Sequence, residues 1–240
     1  KKTVSESKSS IARRLRLPSP FAPQHLGVFA TAAATYYRQR SRTAPAVAHG
    51  IETLVTQRKG NYLVFFPSYD YLELVRGVLN PSLPGVEVIS QRPAMSEAER
   101  ETFLERFDLD NPATLVGLAV LGGVFGEGVD LVGERLCGVA VVGVGLPGVS
   151  LERELIRTYF ESRGELGFEN AYLYPGINRV LQAAGRVIRS EDDRGVVVLM
   201  DQRFTTARYA TLLPAVWRPL AVPGAGQLAW GLRSFWEANT

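Results

Sequence analysis

Cysteine, histidine and lysine are nearly missing from these 240 residues. The one cysteine, Cys137, lies in an apolar run. It cannot close an internal disulfide, and no four-cysteine metal or iron–sulfur set can be built around it from this chain. The two histidines, His25 and His49, are too few for a zinc site of the chain's own. Lysine stands only at positions 1, 2, 8 and 59, so 23 of the 27 basic residues are arginine. Arginine suits bidentate phosphate contacts, but a GC-rich genome gives the same bias, so the skew is weak support for a nucleic-acid partner. Apolar runs of membrane-spanning length are lacking as well. The opening "KKTVSESKSS" is polar and has no apolar core of a signal peptide. Together these absences predict a reducing, cytoplasmic setting, with no membrane partner and no metal held by this chain alone. The abrupt start predicts a missing upstream part.

What is present is a globular composition: 46% hydrophobic and 21% charged residues with a net charge of +3, enough for one large domain with extensions. Residues 1–20 read as a loose lead-in closed by "LPSP". Strands are expected at 25–30 (HLGVFA), 61–66 (NYLVFF), 86–90 (VEVIS), 114–121 (TLVGLAVL), 136–146 (LCGVAVVGVGL) and 195–201 (GVVVLMD). Helical spacing is expected at 45–58, 68–79, 96–107, 151–162 and 177–189, and Ser96 with Glu99 forms a capping box. From about 205 the tail reads as helix and loop. The strands are continuous Val/Leu runs alternating with amphipathic helices, which predicts an α/β fold with a mostly parallel sheet covered by helices on both faces. In such sheets the loops after the carboxyl ends of strands carry function.

Three stretches stand out. In "VFFPSYDYLELV" (64–75) a buried strand exits through Pro67 into a helix start. Ser68 or Asp70 can cap that helix, or Ser68 and the free amides can receive a phosphate; chain chemistry alone favours the cap. In "GGVFGEGVDL" (122–131) four glycines surround Glu127 and Asp130 just past a strong strand. These carboxylates could bind a metal, a ribose hydroxyl or an arginine, or be ordinary surface acids. In "QAAGRVIRSEDDRGVVVLMDQRF" (182–204) Gln182, Arg186 and Arg189 fall at i, i+4 and i+7, one stripe if the helix continues. Gly185 beside that stripe suggests a close partner, and a polyphosphate would explain both features; a solvated face pairing with Glu191, Asp192 and Asp193 is the plainer account. No G-x-x-x-x-G-K-[ST] loop exists in the chain.

Taken together, these stretches resemble the second RecA-like motor domain (P-loop NTPase type) of superfamily 2 DNA helicases of the XPD/DinG type. "FFPSY" is similar to that family's motif IV, "GGVFGEGVDL" to motif V and "QAAGRVIR" to motif VI. "SPFAPQHLGVFATAAATYYRQR" (19–40) is similar to the S-P-F segment that precedes the domain. The order and spacing match over about residues 19–210, with 21–240 expected as the domain. The resemblance implies ATP with Mg²⁺, clamped between this domain and an N-terminal RecA-like domain that supplies the Walker residues and, in many members, an iron–sulfur cluster. It implies that Arg186 and Arg189, with Gln182 beside them, reach the γ-phosphate as arginine fingers. Glu127, Asp130 and Gly185 would couple nucleotide state to DNA grip. Ser68, Tyr69, Gly122 and Gly123 would touch the backbone of single-stranded DNA, although Tyr69 reads equally well as packing. Translocation would run 5′ to 3′. Gly126 departs from the serine that family members often carry, which puts the DNA contact there in question. Asp201 and Arg203 read as structural. The rival class is a non-catalytic nucleic-acid-binding or interaction module with the same fold.

Overall fold

A computed structural model describes residues 21–123, 125, 135–188, 190 and 192–239. The lead-in 1–20, the carboxylates Glu127 and Asp130, and Arg189 lie outside the described residues.

Seven strands form one sheet: β1 (Leu26–Thr31), β2 (Asn61–Phe66), β3 (Val86–Ser90), β4 (Thr114–Val120), β5 (Gly138–Val142), β6 (Gly195–Met200) and β7 (Leu220–Val222), in the order β3-β4-β2-β5-β6-β1-β7. Every recorded pairing is parallel, with Val64 of β2 opposite Leu118 of β4 on one side and Ala140 of β5 on the other. The central strands β2, β5 and β6 are buried at every position, while edge strand β3 is partly exposed. That is the burial that continuous apolar runs require when both faces are covered.

The helices are α1 (Arg40–Thr56), α2 (Tyr69–Arg76), α3 (Glu97–Glu105), α4 (Leu151–Ser162), α5 (Tyr174–Ala184), the short α6 (Ala207–Ala210) and α7 (Ala225–Ala238). Side chains alternate across the sheet. Leu63, Phe65, Val141 and Leu199 meet Phe103 of α3 and Ile177, Val180 and Ala184 of α5. Tyr62, Val64, Phe66 and Val198 meet Ile51 and Leu54 of α1, Leu72 of α2 and Leu232 and Trp236 of α7. Thus β2 alone commits five buried side chains to two cores.

Local chemistry starts and stops these elements where it is legible. Ser68, Ser96 and Ser150 each accept a backbone N–H in the first turn of the helix that follows, and the Ser96–Glu99 capping box is complete. Helix α1 begins five residues earlier than periodicity suggests and carries Pro45 inside it, near its start. Strand β7, within the tail, had no sequence counterpart. The largest correction concerns α5. A π-helical turn, Glu169–Leu173, leads into it, and it ends at Ala184 with Gly185 as its C-cap. The helix therefore stops before Arg186, and Gln182 and Arg186 do not share one helical stripe.

Candidate functional site on two ends of one sheet

All strands point the same way, so the loops after β1 to β6 share one edge. Ser68, at the end of β2, caps α2 by accepting from Tyr71 N at 3.4 Å, and Arg40 Nη1 also lies 3.4 Å from its Oγ. The capping role is the one the geometry supports. Tyr69 is half-buried and accepts a 2.9 Å hydrogen bond from Gln91 Nε2. Gln91 Oε1 in turn accepts from Val120 N at 2.8 Å, at the end of β4. Tyr69 is thus tied to the loop carrying Gly122 and Gly123. Gly122 has a left-handed φ of +71°, and a Cβ there would come within 2.8 Å of Arg179 Nε. The Arg179 side chain therefore lies across the open face of Gly122. Side chains on a helix lean toward its N-terminus, and this is how an arginine on α5 reaches the carboxyl edge.

A second cluster sits further along the same edge, beyond β5. Asp201, fully buried at the end of β6, accepts from Arg203 N and Nε on Oδ1 at 2.7 and 2.9 Å and from Arg203 Nη2 on Oδ2 at 2.7 Å, and Thr35 Oγ1 also donates to Oδ2. Burial opposes the Arg203 charge, and the hydrogen bonds and attraction of Asp201 outweigh it, so that guanidinium's pKa is raised. This supports the structural reading of the pair. Arg40 lies over the Tyr71 ring at 4.7 Å and over the Tyr37 ring at 5.3 Å, and burial lowers its pKa.

The arginine of the Q-x-x-G-R stretch lies elsewhere. Gly176, at the start of α5, packs against Val144 O and Gly145 beyond β5, whereas Val187, just past its end, packs against Gly195 at the start of β6. Helix α5 thus runs antiparallel to the strands, and its eleven residues span about 16 Å. Gln182 is exposed on its last turn, Gly185 is exposed at the cap and Arg186 is half-buried in the turn beyond. Gly185 N donates to Leu181 O, and Arg186 N and Val187 N reach back three residues to Ala183 O and Ala184 O, the tightening common at helix ends. Burial lowers the Arg186 pKa; arginine nonetheless stays charged in proteins. Beside this turn lies a cleft of about 230 Å³ lined by Leu26, Gly185, Ile188 and Trp217. The structure therefore brings Ser68, Tyr69, Gly122 and Gly123 to the carboxyl edge and sets Gln182, Gly185 and Arg186 toward the opposite one.

Gln91, Arg179, Arg40 and the tyrosines 36 and 37 were not singled out from the sequence. For Arg40 and the two tyrosines the signal is "ATYYRQR", an aromatic pair followed by arginines; Gln91 and Arg179 carry none. Among the described residues no group of three or more His, Cys, Asp or Glu could hold a metal, and no described helix is long and apolar enough to cross a membrane.

An all-parallel seven-stranded sheet with helices on both faces, and an arginine-bearing turn after the helix that precedes β6, defines an α/β domain of RecA-like class. A solved apo XPD structure shares this fold with a TM-score of 0.66 and 22% identity, covering 82% of this chain and 40% of that one. The helicase C-terminal domain family is matched over residues 51–220, more than half the chain, and the chain belongs to that family. Its relatives are of the XPD/DinG type. One is a probable ATP-dependent helicase of Methanocaldococcus jannaschii, 27% identical over 207 residues that make up 80% of this chain and 31% of that protein. Another is the ATP-dependent DNA helicase DinG of Photobacterium profundum, 29% identical over 207 residues, or 84% of this chain and 29% of that protein. The chain spans less than a third of the length of these relatives.

Proposed function

We propose that the chain is the second motor domain of an ATP-dependent DNA helicase that translocates 5′ to 3′ on single-stranded DNA. Its N-terminal partner domain would supply the Walker residues, and this 240-residue chain would not hydrolyse ATP alone. The observation that carries this reading is the family match over the stretch that holds all three motifs in order. The turn at the end of α5 supports it: a half-buried guanidinium next to a side-chain-free cap leaves room for a phosphate to approach.

The donors present fit an ATP terminal phosphate. Arg186 and Arg189 would reach it as fingers, with Gln182 beside them and Gly185 allowing close approach. Mg²⁺ would be held by the partner domain. ATP brings the phosphoanhydride to be cleaved; the arginines neutralise the charge that grows on the transferring group, worth about 10³–10⁵ in rate where measured. Glu127 and Asp130 would link the nucleotide to the DNA-bearing edge, where Ser68, Tyr69, Gly122 and Gly123 contact the backbone. An iron–sulfur cluster, if the whole protein has one, belongs to the partner part, since Cys137 is the chain's one cysteine.

The test uses the full-length protein. Arg189→Ala and Arg186→Ala should each lower DNA-stimulated turnover by at least 10³-fold with ATP affinity largely kept. Unchanged turnover in both would refute the finger assignment, and DNA-stimulated ATPase activity of the 240-residue chain would refute the two-domain site.

A further inference from the structure

Two tyrosines interrupt the chain between β1 and α1, and both sit on arginines. Tyr37 is 83% exposed, with Arg40 5.3 Å from its ring centroid; Tyr36 is 40% exposed, with Arg203 4.6 Å from its own. A guanidinium on one face of a ring leaves the other face for a ligand, and ring-on-cation stacking is favourable in itself. The rings are held from below. Gln39 N donates to Tyr36 O at 2.8 Å, Thr43 Oγ1 to Ala34 O at 2.8 Å, and Gln202 N to Ala33 O at 2.9 Å. Arg203 is locked on buried Asp201, and Arg40 is wedged over buried Tyr71 with Nη1 near Ser68 Oγ.

The Arg40 charge is answered only at a distance, by the attraction of Asp70. Asp201 answers Arg203, and no carboxylate forms an ion pair with Arg40 among the described residues. The two arginines repel, since Arg203 is one of the influences that lower the Arg40 pKa, after burial. A half-buried cation with only neutral hydrogen-bond partners, beside a ring with one open face, suits a ligand that carries both a phosphate and a flat apolar base. Rigid aromatic faces interleaved with arginines are how single strands are held without sequence preference.

We propose that Tyr37, with Tyr36 beside it, is a base-stacking shelf for single-stranded DNA, and that Arg40 takes the adjoining phosphate. This rests on the DNA-motor reading above and adds a contact that it did not contain. The shelf lies on the same edge as Ser68, whose Oγ is 3.4 Å from Arg40 Nη1, and Gly122 follows β4, the strand paired with β2, so one extended strand can pass over both. Arg186 is toward the other edge, so the shelf serves the polymer and not the nucleotide that is hydrolysed.

The test is fluorescence anisotropy of the 240-residue chain at low salt with labelled dT12 and with a 12-mer of abasic sites. Tyr37→Ala should weaken dT12 binding by roughly 5- to 150-fold, the range for one lost base stack, and leave the abasic strand's affinity unchanged. Tyr37→Phe, which keeps the ring, should bind as the parent does. Arg40→Gln should reduce the slope of log K against log salt by about 0.7, one phosphate on a single strand. Equal losses on both strands, an unchanged dT12 affinity in Tyr37→Ala, an unchanged salt slope in Arg40→Gln, or displacement of dT12 by millimolar ADP would each overturn the shelf. Failure of the parent chain to bind either strand, together with no DNA stimulation of turnover in the full-length protein, would instead overturn the DNA-motor reading on which it rests.

Discussion

Removing the Asp201 carboxylate is the sharpest test of how the carboxyl edge is held. Asp201 is wholly buried and receives three N–H donations from Arg203 and one hydroxyl from Thr35. The Arg203 side chain is itself only 16% exposed. Asp201→Ala therefore strands a mostly buried guanidinium and also orphans the Arg203 N–H that caps the turn after β6. Breaking one partner of a buried pair costs about 3–5 kcal/mol. With a urea slope near 3 kcal/mol/M at the upper end of the usual range, the midpoint should fall by at least about 1 M. The thermal midpoint should fall by roughly 6–20 °C at about 2–4 °C per kcal/mol for a chain of this size. Arg203→Ala alone should cost less, because a carboxylate left with Thr35 and a backbone N–H keeps partners. The double variant should lose well less than the sum of the two single losses, since neither charge is then buried alone. A loss below about 1 kcal/mol for Asp201→Ala, or additive losses in the double variant, would refute the account of a buried pair that holds this edge.

Phe65→Ala on β2 should cost about 3–5 kcal/mol in chemical unfolding, because the ring is fully buried among side chains from both neighbouring strands and helix α3. Ser68→Ala should lose about 1 kcal/mol of stability through the α2 cap, and a cost within error would mean the serine is kept for another purpose. Gly122→Ala should cost about 1–2 kcal/mol for its left-handed backbone, and Arg179→Ala should relieve only the steric part, as urea unfolding of the double variant would show. The Glu99 carboxyl is held below its usual range by the Ser96 N–H and then its hydroxyl. A lowered carboxyl pKa stabilises the fold above the unfolded value and fades as pH falls through the folded one. Glu99→Gln should therefore flatten part of the acid limb of the stability curve, and an unaltered limb would argue against the capping box.

The strand code was legible because the central strands are buried on both faces, which leaves an unbroken apolar run. The capped helices were legible for the same kind of reason: Ser96 and Ser150 sit where a polar side chain must satisfy free N–H groups. Helix α5 overran its true end because Val187 and Ile188 continue the apolar spacing, yet Val187 packs on Gly195 from a turn, not from a helix. Helix α1 started unseen because no side chain caps it and Pro45 reads as a first-turn residue. Strand β7 is three residues long, too short for any period. At the site, spacing and glycine content drew attention to Gly122, Gly123, Gly185 and Arg186. Arg179 and Gln91 were missed because their roles depend on reaching across to another loop, a relation that spacing along one element does not contain.

Among the described residues, strand β1 pairs with β6 and β7 alone, at the far end of the chain. Thr35 and Asp201, which fasten the loops after β1 and β6 together, are 166 residues apart. During synthesis β2, β3, β4 and β5 can associate early, but the amino-terminal strand must wait as a loose flap until almost the whole domain has left the ribosome. Closing so distant a seam is slow. The interval before it closes is when this chain's apolar strand edges are most open to the wrong neighbour.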